Sequence, residues 1–246
     1  TYKIIHLLKK GVSPFNILAL TFTNKAAKEM KQRISKLTND NQAKSIWMGT
    51  FHSVFARILR SESELIGFPP NFTIYDSYDS EKLISIIIKE MNLNKDFYKA
   101  KGIKNRVSSL KNSFITPKNY FNQAELIEAD KLANRIQFGE IYRNYVDRCF
   151  KSAVMDFDDL LLKTNQLLNS SPETLIKYQK IFKYILVDEY QDTNESQYTL
   201  IRLLSGESQN IMVVGDDDQS IYGFRGADIQ NICLLYTSPS PRDIRR

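Results

Sequence analysis

The sequence predicts an α/β protein: a parallel sheet flanked by helices, with a mainly helical subdomain inserted into it. Three observations carry that expectation. Short runs that are apolar at nearly every position, Asn16–Phe22, Tyr184–Val187 and Asn210–Val214, fit strands buried on both faces. Between about Asp79 and Phe150 such runs stop, and apolar residues recur at helical intervals instead. Strands return only at Tyr184 and Asn210, so the helical stretch reads as an insertion into an α/β core.

In chain order, Tyr2–Lys10 places Ile4, Ile5, Leu7 and Leu8 at helical spacing before Gly11, a glycine cap. The chain thus begins inside a helix, which suggests further sequence upstream. Asn16–Phe22 (NILALTF) is the first strand, followed by Thr23-Asn24 and a helix over Lys25–Leu37. That helix sets Ala26, Ala27, Met30, Ile34 and Leu37 on one face and Lys25, Lys28, Lys31 and Arg33 on the other. Ile46–Phe51 (IWMGTF) reads as the next strand and His52–Arg60 as the helix after it, with Val54, Phe55, Ile58 and Leu59 on one side. Gly67-Phe68-Pro69-Pro70-Asn71 is the clearest turn. The helical insertion follows, with Leu83, Ile84, Ile87 and Ile88, and then Ile136, Ile141, Tyr142 and Tyr145, at helical intervals, punctuated by Gly102 and Pro117. Its basic stretch Lys99–Lys111 (KAKGIKNRVSSLK) either faces nucleic acid or is a solvated helix face, and the second reading is preferred.

At 246 residues the chain buries a sizeable core and allows one large domain or two small ones. No apolar stretch is long enough to cross a bilayer and no secretory signal stands at Thr1, so a soluble cytoplasmic protein is expected. A net charge of +6 and a pI of about 9.1 suit a polyanionic partner. Cys149 and Cys233 form no zinc or disulfide spacing, in keeping with a reducing compartment.

Chemistry is expected where YILV runs into Asp188-Glu189, because ligands of parallel sheets gather at the carboxyl ends of strands. Asp188 there is placed to hold Mg²⁺, directly or through water, and Glu189 to face the nucleophilic water of a bound nucleotide. The alternative is a pair of acids that only caps the next helix. A second unusual stretch follows Asn210–Val214: Gly215-Asp216-Asp217-Asp218-Gln219-Ser220-Ile221-Tyr222-Gly223-Phe224-Arg225-Gly226. Its glutamine amide can sense a terminal phosphate, and its aromatics and arginine can stack on bases, or the aromatics fold back into the core.

Five stretches in order resemble the superfamily 1 DNA helicases of the UvrD, PcrA and Rep type. LALTFTNKAAKEM and GTFHSVFARIL are similar to their DNA-contacting motifs, and MDFDDLL to a third motif. VDEYQDTNESQ is similar to their Walker B box, and VVGDDDQSIYGFRGADIQNI to the motif coupling ATP to DNA. The resemblance covers about Thr1 to Ile232 and implies a RecA-like P-loop NTPase fold. It gives Asp188 the magnesium site, Glu189 the catalytic base and Gln219 the γ-phosphate sensor. It places Phe22, Asn24, Thr50, His52, Tyr222, Phe224 and Arg225 along the single-strand track, with phenylalanine at 224 where relatives commonly carry tryptophan. ATP and Mg²⁺ are the implied cofactors, and single-stranded DNA and duplex junctions the implied partners.

Two parts of the pattern are absent. No GxxxxGK[ST] loop occurs, and no second motor domain follows Ile232. Instead Cys233–Asp243 (CLLYTSPSPRD) resembles the translation of a transposon-type sequencing adapter. Without Cys233–Arg246, which holds three arginines and one aspartate, the net charge is +4. The expected division is 1–78 and 153–232 for the helicase core, 79–152 for the helical insertion, and 233–246 for a non-native tail. The whole reads as part of an ATP-dependent 3′–5′ DNA helicase, inactive by itself. The alternatives are the motor of a helicase–nuclease fusion and a non-catalytic DNA-binding module.

Overall fold

The computed structural model describes residues 1–38, 40–216 and 218. These divide into two compact units, one from residues 1–57 and the described residues from 165 on, the other from residues 58–164. The first is built on four parallel strands, β1 (Ile17–Thr21), β2 (Trp47–Thr50), β5 (Tyr184–Val187) and β6 (Ile211–Val213), in the order β2-β1-β5-β6. The second holds a two-stranded parallel pair, β3 (Thr73–Tyr75) and β4 (Val154–Asp156).

All five residues of β1 are buried, because it pairs on both edges and is covered on both faces. Leu18 pairs with Trp47 and Thr21 with Thr50 on one side, while Ile17 pairs with Tyr184 and Leu20 with Val187 on the other. Val187 in turn pairs with Val213. The carboxyl ends of all four strands therefore lie along one edge, as the sequence predicts. The chain leaves β1 for β2 in one direction and returns to β5 in the other, so β1 and β5 flank a topological switch point, where open parallel sheets bind their ligands.

One side of the sheet packs Ile4, Leu7, Ile17, Ala19, Ile34 and Ile46 into a single core. The helix Asn24–Leu37 starts at β1's carboxyl end because Thr23 caps it, its hydroxyl accepting from the Ala26 amide at 3.1 Å. Met30 and Ile34 face the core, but Leu37, expected on that face, is exposed as the last residue of the helix. The helix after β2 runs over Phe51–Ser61, with Val54, Phe55, Ile58 and Leu59 buried as expected.

The second unit is mainly helical, with helices Ser77–Glu90, Ala100–Asn112, Pro117–Phe121, Ala124–Leu132 and Phe138–Lys151. Ile84, Ile87, Ile88, Val107, Leu110, Ile141, Tyr142 and Tyr145 form its core. Four readings of this region need correction. The pair β3 and β4 is an addition to the expected strands, each too short at three residues to register as an apolar run. Gly102 sits inside the helix Ala100–Asn112 rather than ending one, and Ile136 is an exposed turn residue. Lys111, counted with a solvated basic face, is fully buried.

Lys111 is buried because two carboxylates meet it. Its Nζ lies 2.7 Å from Asp156 Oδ2 and 2.8 Å from Asp159 Oδ1. The Tyr145 hydroxyl donates to the same Asp156 oxygen at 2.8 Å, and the Asp159 amide donates to Asp156 Oδ1 at 2.8 Å. The Asp156 amide donates back to Asp159 Oδ2 at 3.2 Å, a reciprocal cap on the helix Phe157–Ser170. Among the described residues no helix is long and apolar enough to cross a membrane.

Candidate functional site

The sheet edge gathers those sequence-predicted site residues that are among the described residues. Asp188 is the first residue after β5, half-buried, and its amide donates to the Leu20 carbonyl of β1 at 2.9 Å. Two residues on, the Tyr190 amide donates to the Val214 carbonyl beyond β6 at 3.0 Å. The backbone carrying the two acids is thus pinned on both sides, with Glu189 between the pins.

Glu189 adopts a left-handed conformation, with φ at 55°. For a residue with a Cβ that geometry costs on the order of 1 kcal/mol, and it persists where surrounding bonds fix it. Those bonds are visible in the 3₁₀ turn Tyr190–Asp192. The Asp192 amide donates to the Glu189 carbonyl at 3.0 Å, and the Thr193 hydroxyl donates to the Tyr190 carbonyl at 2.7 Å. The following helix, Glu195–Ser205, has its own capping box from Asn194 and Gln197, so capping does not require the acid pair.

Sequence reasoning missed Gln191, which is 1% exposed and spans the site. Its Nε2 donates to Glu189 Oε2 at 2.7 Å, and its Oε1 accepts from the Asp216 amide at 3.0 Å. Glycine at 215 makes that approach possible, since a Cβ there would lie 2.6 Å from Gln191 Oε1. The one sequence signal was an amide side chain two residues after Glu189, indistinguishable from an ordinary turn residue.

The DNA-track candidates of this unit follow the neighbouring strands. Phe22 is the residue after β1, half-buried and edge-on to Phe51 with ring centres 6.5 Å apart. Asn24 is the exposed first residue of the helix Asn24–Leu37. Thr50 ends β2; its hydroxyl accepts from the Ser53 amide at 3.3 Å and its carbonyl accepts from the Ser53 hydroxyl at 2.9 Å. Gly49 lets Ser53 come that close, because a Cβ there would lie 2.4 Å from the Ser53 Oγ. His52 is half-buried in the first turn of the next helix, and burial lowers its imidazole pKa from the ordinary value. Gln219, Tyr222, Phe224 and Arg225 lie outside the described residues, as does the tail 233–246.

The edge suits a divalent cation. Among the described residues neither Asp188 nor Glu189 joins an ion pair, and the bond to Glu189 comes from a neutral amide, so the two acids have no cation of their own. One carboxylate at an open strand end is what Mg²⁺ takes from a protein when waters and phosphate oxygens supply its other ligands.

Comparison with known proteins accords with this geometry. The model of the UvrD/REP helicase N-terminal domain matches residues 1–239. The chain is 46% identical over 233 residues to the ATP-dependent DNA helicase PcrA of Staphylococcus epidermidis, covering 94% of this chain and 31% of that protein. It is equally similar to the PcrA of Staphylococcus aureus, with the same coverage. It therefore spans about a third of the length of the curated relatives it matches. Matched almost end to end by that family model, on a sheet whose carboxyl edge carries the acid pair, the chain belongs to the UvrD/REP helicase N-terminal domain family.

Proposed function

We propose that this chain is the larger part of the first motor domain of an ATP-dependent DNA helicase, one that couples ATP hydrolysis to 3′–5′ movement along single-stranded DNA and to duplex unwinding. The observation that carries the reading is the shared strand edge: Thr50 pairs with Thr21, the residue before Phe22, and Val187, the residue before Asp188, pairs with Leu20, so all three lie at the carboxyl ends of neighbouring strands. A nucleotide site and a single-strand track built on one rigid edge can act on each other without a long relay. Residues 79–152 form the helical insertion of that motor, between core segments 1–78 and 153–232, and 233–246 is a non-native tail.

In this reading Asp188 holds Mg²⁺, which neutralises charge on the phosphates when bound. Glu189 takes the proton of the attacking water, and Gln219 senses the γ-phosphate. Phe22, Asn24, Thr50, His52, Tyr222, Phe224 and Arg225 line the track, with the aromatic faces stacking on bases. Stacking tolerates any base, which suits a motor that must ignore sequence.

The test is a chimaera in which this chain replaces the matching third of the S. epidermidis relative. Glu189→Gln is expected to keep nucleotide binding and lower turnover by about 10²-fold or more, since it removes a general base and keeps the shape. Phe224→Ala is expected to weaken single-strand affinity about five-fold or more at unchanged melting temperature. A chimaera whose turnover ignores both single-stranded DNA and Glu189→Gln refutes the reading.

A further inference from the structure

We propose that Gln191 is a positioning residue that holds the Glu189 carboxylate and ties it to the loop after β6, so that a shift of this loop moves the base. The inference rests on Glu189 being that base. Both halves of the buried amide are committed: Nε2 to Glu189 Oε2 at 2.7 Å and Oε1 to the Asp216 amide at 3.0 Å. Only an amide side chain serves both ends, because a carboxylate at 191 has no proton for Glu189 and an apolar chain has neither group.

The loop itself is held against the acid turn. The Val214 amide donates to the Val187 carbonyl at 2.9 Å, and Gly215 leaves no room for a Cβ beside the amides of Gln191 and Tyr190, at 3.2 and 3.3 Å. A shift of Val214–Asp216 therefore acts on Gln191 and, through it, on the Glu189 carboxylate. One oxygen of Glu189 is fixed by the amide, and the other is left to orient a water. Since Glu189 already sits in a left-handed conformation, its carboxylate direction depends on such side-chain restraints.

The same chimaera tests this with Gln191→Met, which keeps the volume and removes both bonds, and with Gly215→Ala, which pushes on Gln191 Oε1 and leaves Gln191 in place. Both are expected to lower kcat roughly ten- to hundred-fold, with nucleotide KM changed less than about three-fold, as for a misplaced catalytic group. In a Glu189→Gln background neither is expected to lower kcat further. A role confined to stapling the loop would lower the melting temperature and leave kcat per folded molecule unchanged, and that result in either variant overturns the proposal. If Glu189→Gln retains turnover, the base assignment fails and takes this inference with it. If Glu189→Gln abolishes turnover while Gln191→Met and Gly215→Ala retain kcat, only the inference fails.

Discussion

Replacing Lys111 by methionine removes a cation that two buried aspartates share, and the cost follows from what remains. Asp156 and Asp159 are 6% and 5% exposed, their carboxylates 2.7 and 2.8 Å from the ammonium. Breaking a buried pair from one side costs about 3–5 kcal/mol at pH 7, because the uncompensated charge stays behind. Burial and the neighbouring Asp156 charge push the Asp159 carboxyl up to about 6. Burial also pushes Asp156 upward, but the Lys111 charge and hydrogen bond outweigh it and hold that carboxyl below its ordinary value. The native state thus binds the Asp159 proton more tightly than the unfolded chain does. Between the ordinary aspartate range and about pH 6, the Asp159 contribution to wild-type stability falls as pH rises, by up to about 1.4 kcal/mol per unit. Below the ordinary range the sign reverses, and stability is lost as Asp156 takes up its proton. At pH 5 the methionine variant strands one charge instead of two, so its cost is expected to fall to about half. Amide hydrogen exchange at Val107, Leu110 and Tyr142, all in helices of the same unit, reads the effect directly. Exchange roughly 150- to 5,000-fold faster at pH 7 is expected, with partial recovery on adding Asp159→Asn. A change under about 1 kcal/mol at pH 7, or the same cost at pH 5 and pH 7, refutes the reasoning.

Two smaller outcomes follow from burial elsewhere. Cys149 is buried, and burial pushes its thiol up to about 12, so in a Cys233→Ser background it is expected to resist a maleimide at pH 8 until the protein is unfolded. Full labelling of the folded protein within minutes contradicts this. Burial also lowers the His52 imidazole, so its NMR titration should show the neutral ring persisting at pH 6.5, and a midpoint above that value counts against the structure around Thr50.

The four strands of the first unit were legible because each is a short, mostly apolar run, and β1 shows why. Ile17, Leu18, Ala19 and Leu20 are all at most 1% exposed, so no position on the strand has a solvent face to break the pattern. The pair β3 and β4 was not legible, since three residues alternate too few times to declare a period. Asp188 and Glu189 were found because acids after a buried run are conspicuous, whereas Gln191 looked like any turn residue. Its importance comes from burial against Gly215 and Asp216, twenty-four and twenty-five positions later, a pairing that only the fold creates. Lys111 failed for the same reason: its partners Asp156 and Asp159 lie more than forty residues away.

The order of the sheet also sets a schedule for synthesis. β1 and β2 are complete once Thr50 has been made, but β1's second edge pairs with Tyr184–Val187, and residues 58–164 come in between as a compact unit of their own. At about 5–20 residues per second, the ribosome takes roughly 7 to 27 s to reach Tyr184. Through that interval the nascent chain carries ILALT with its β5-facing edge unpaired, an apolar strand of the kind that recruits other chains. The intervening unit, whose strands β3 and β4 pair with each other, can fold meanwhile without waiting for either end of the first. Shielding that open edge until β5 arrives is therefore expected to raise the yield of folded chain.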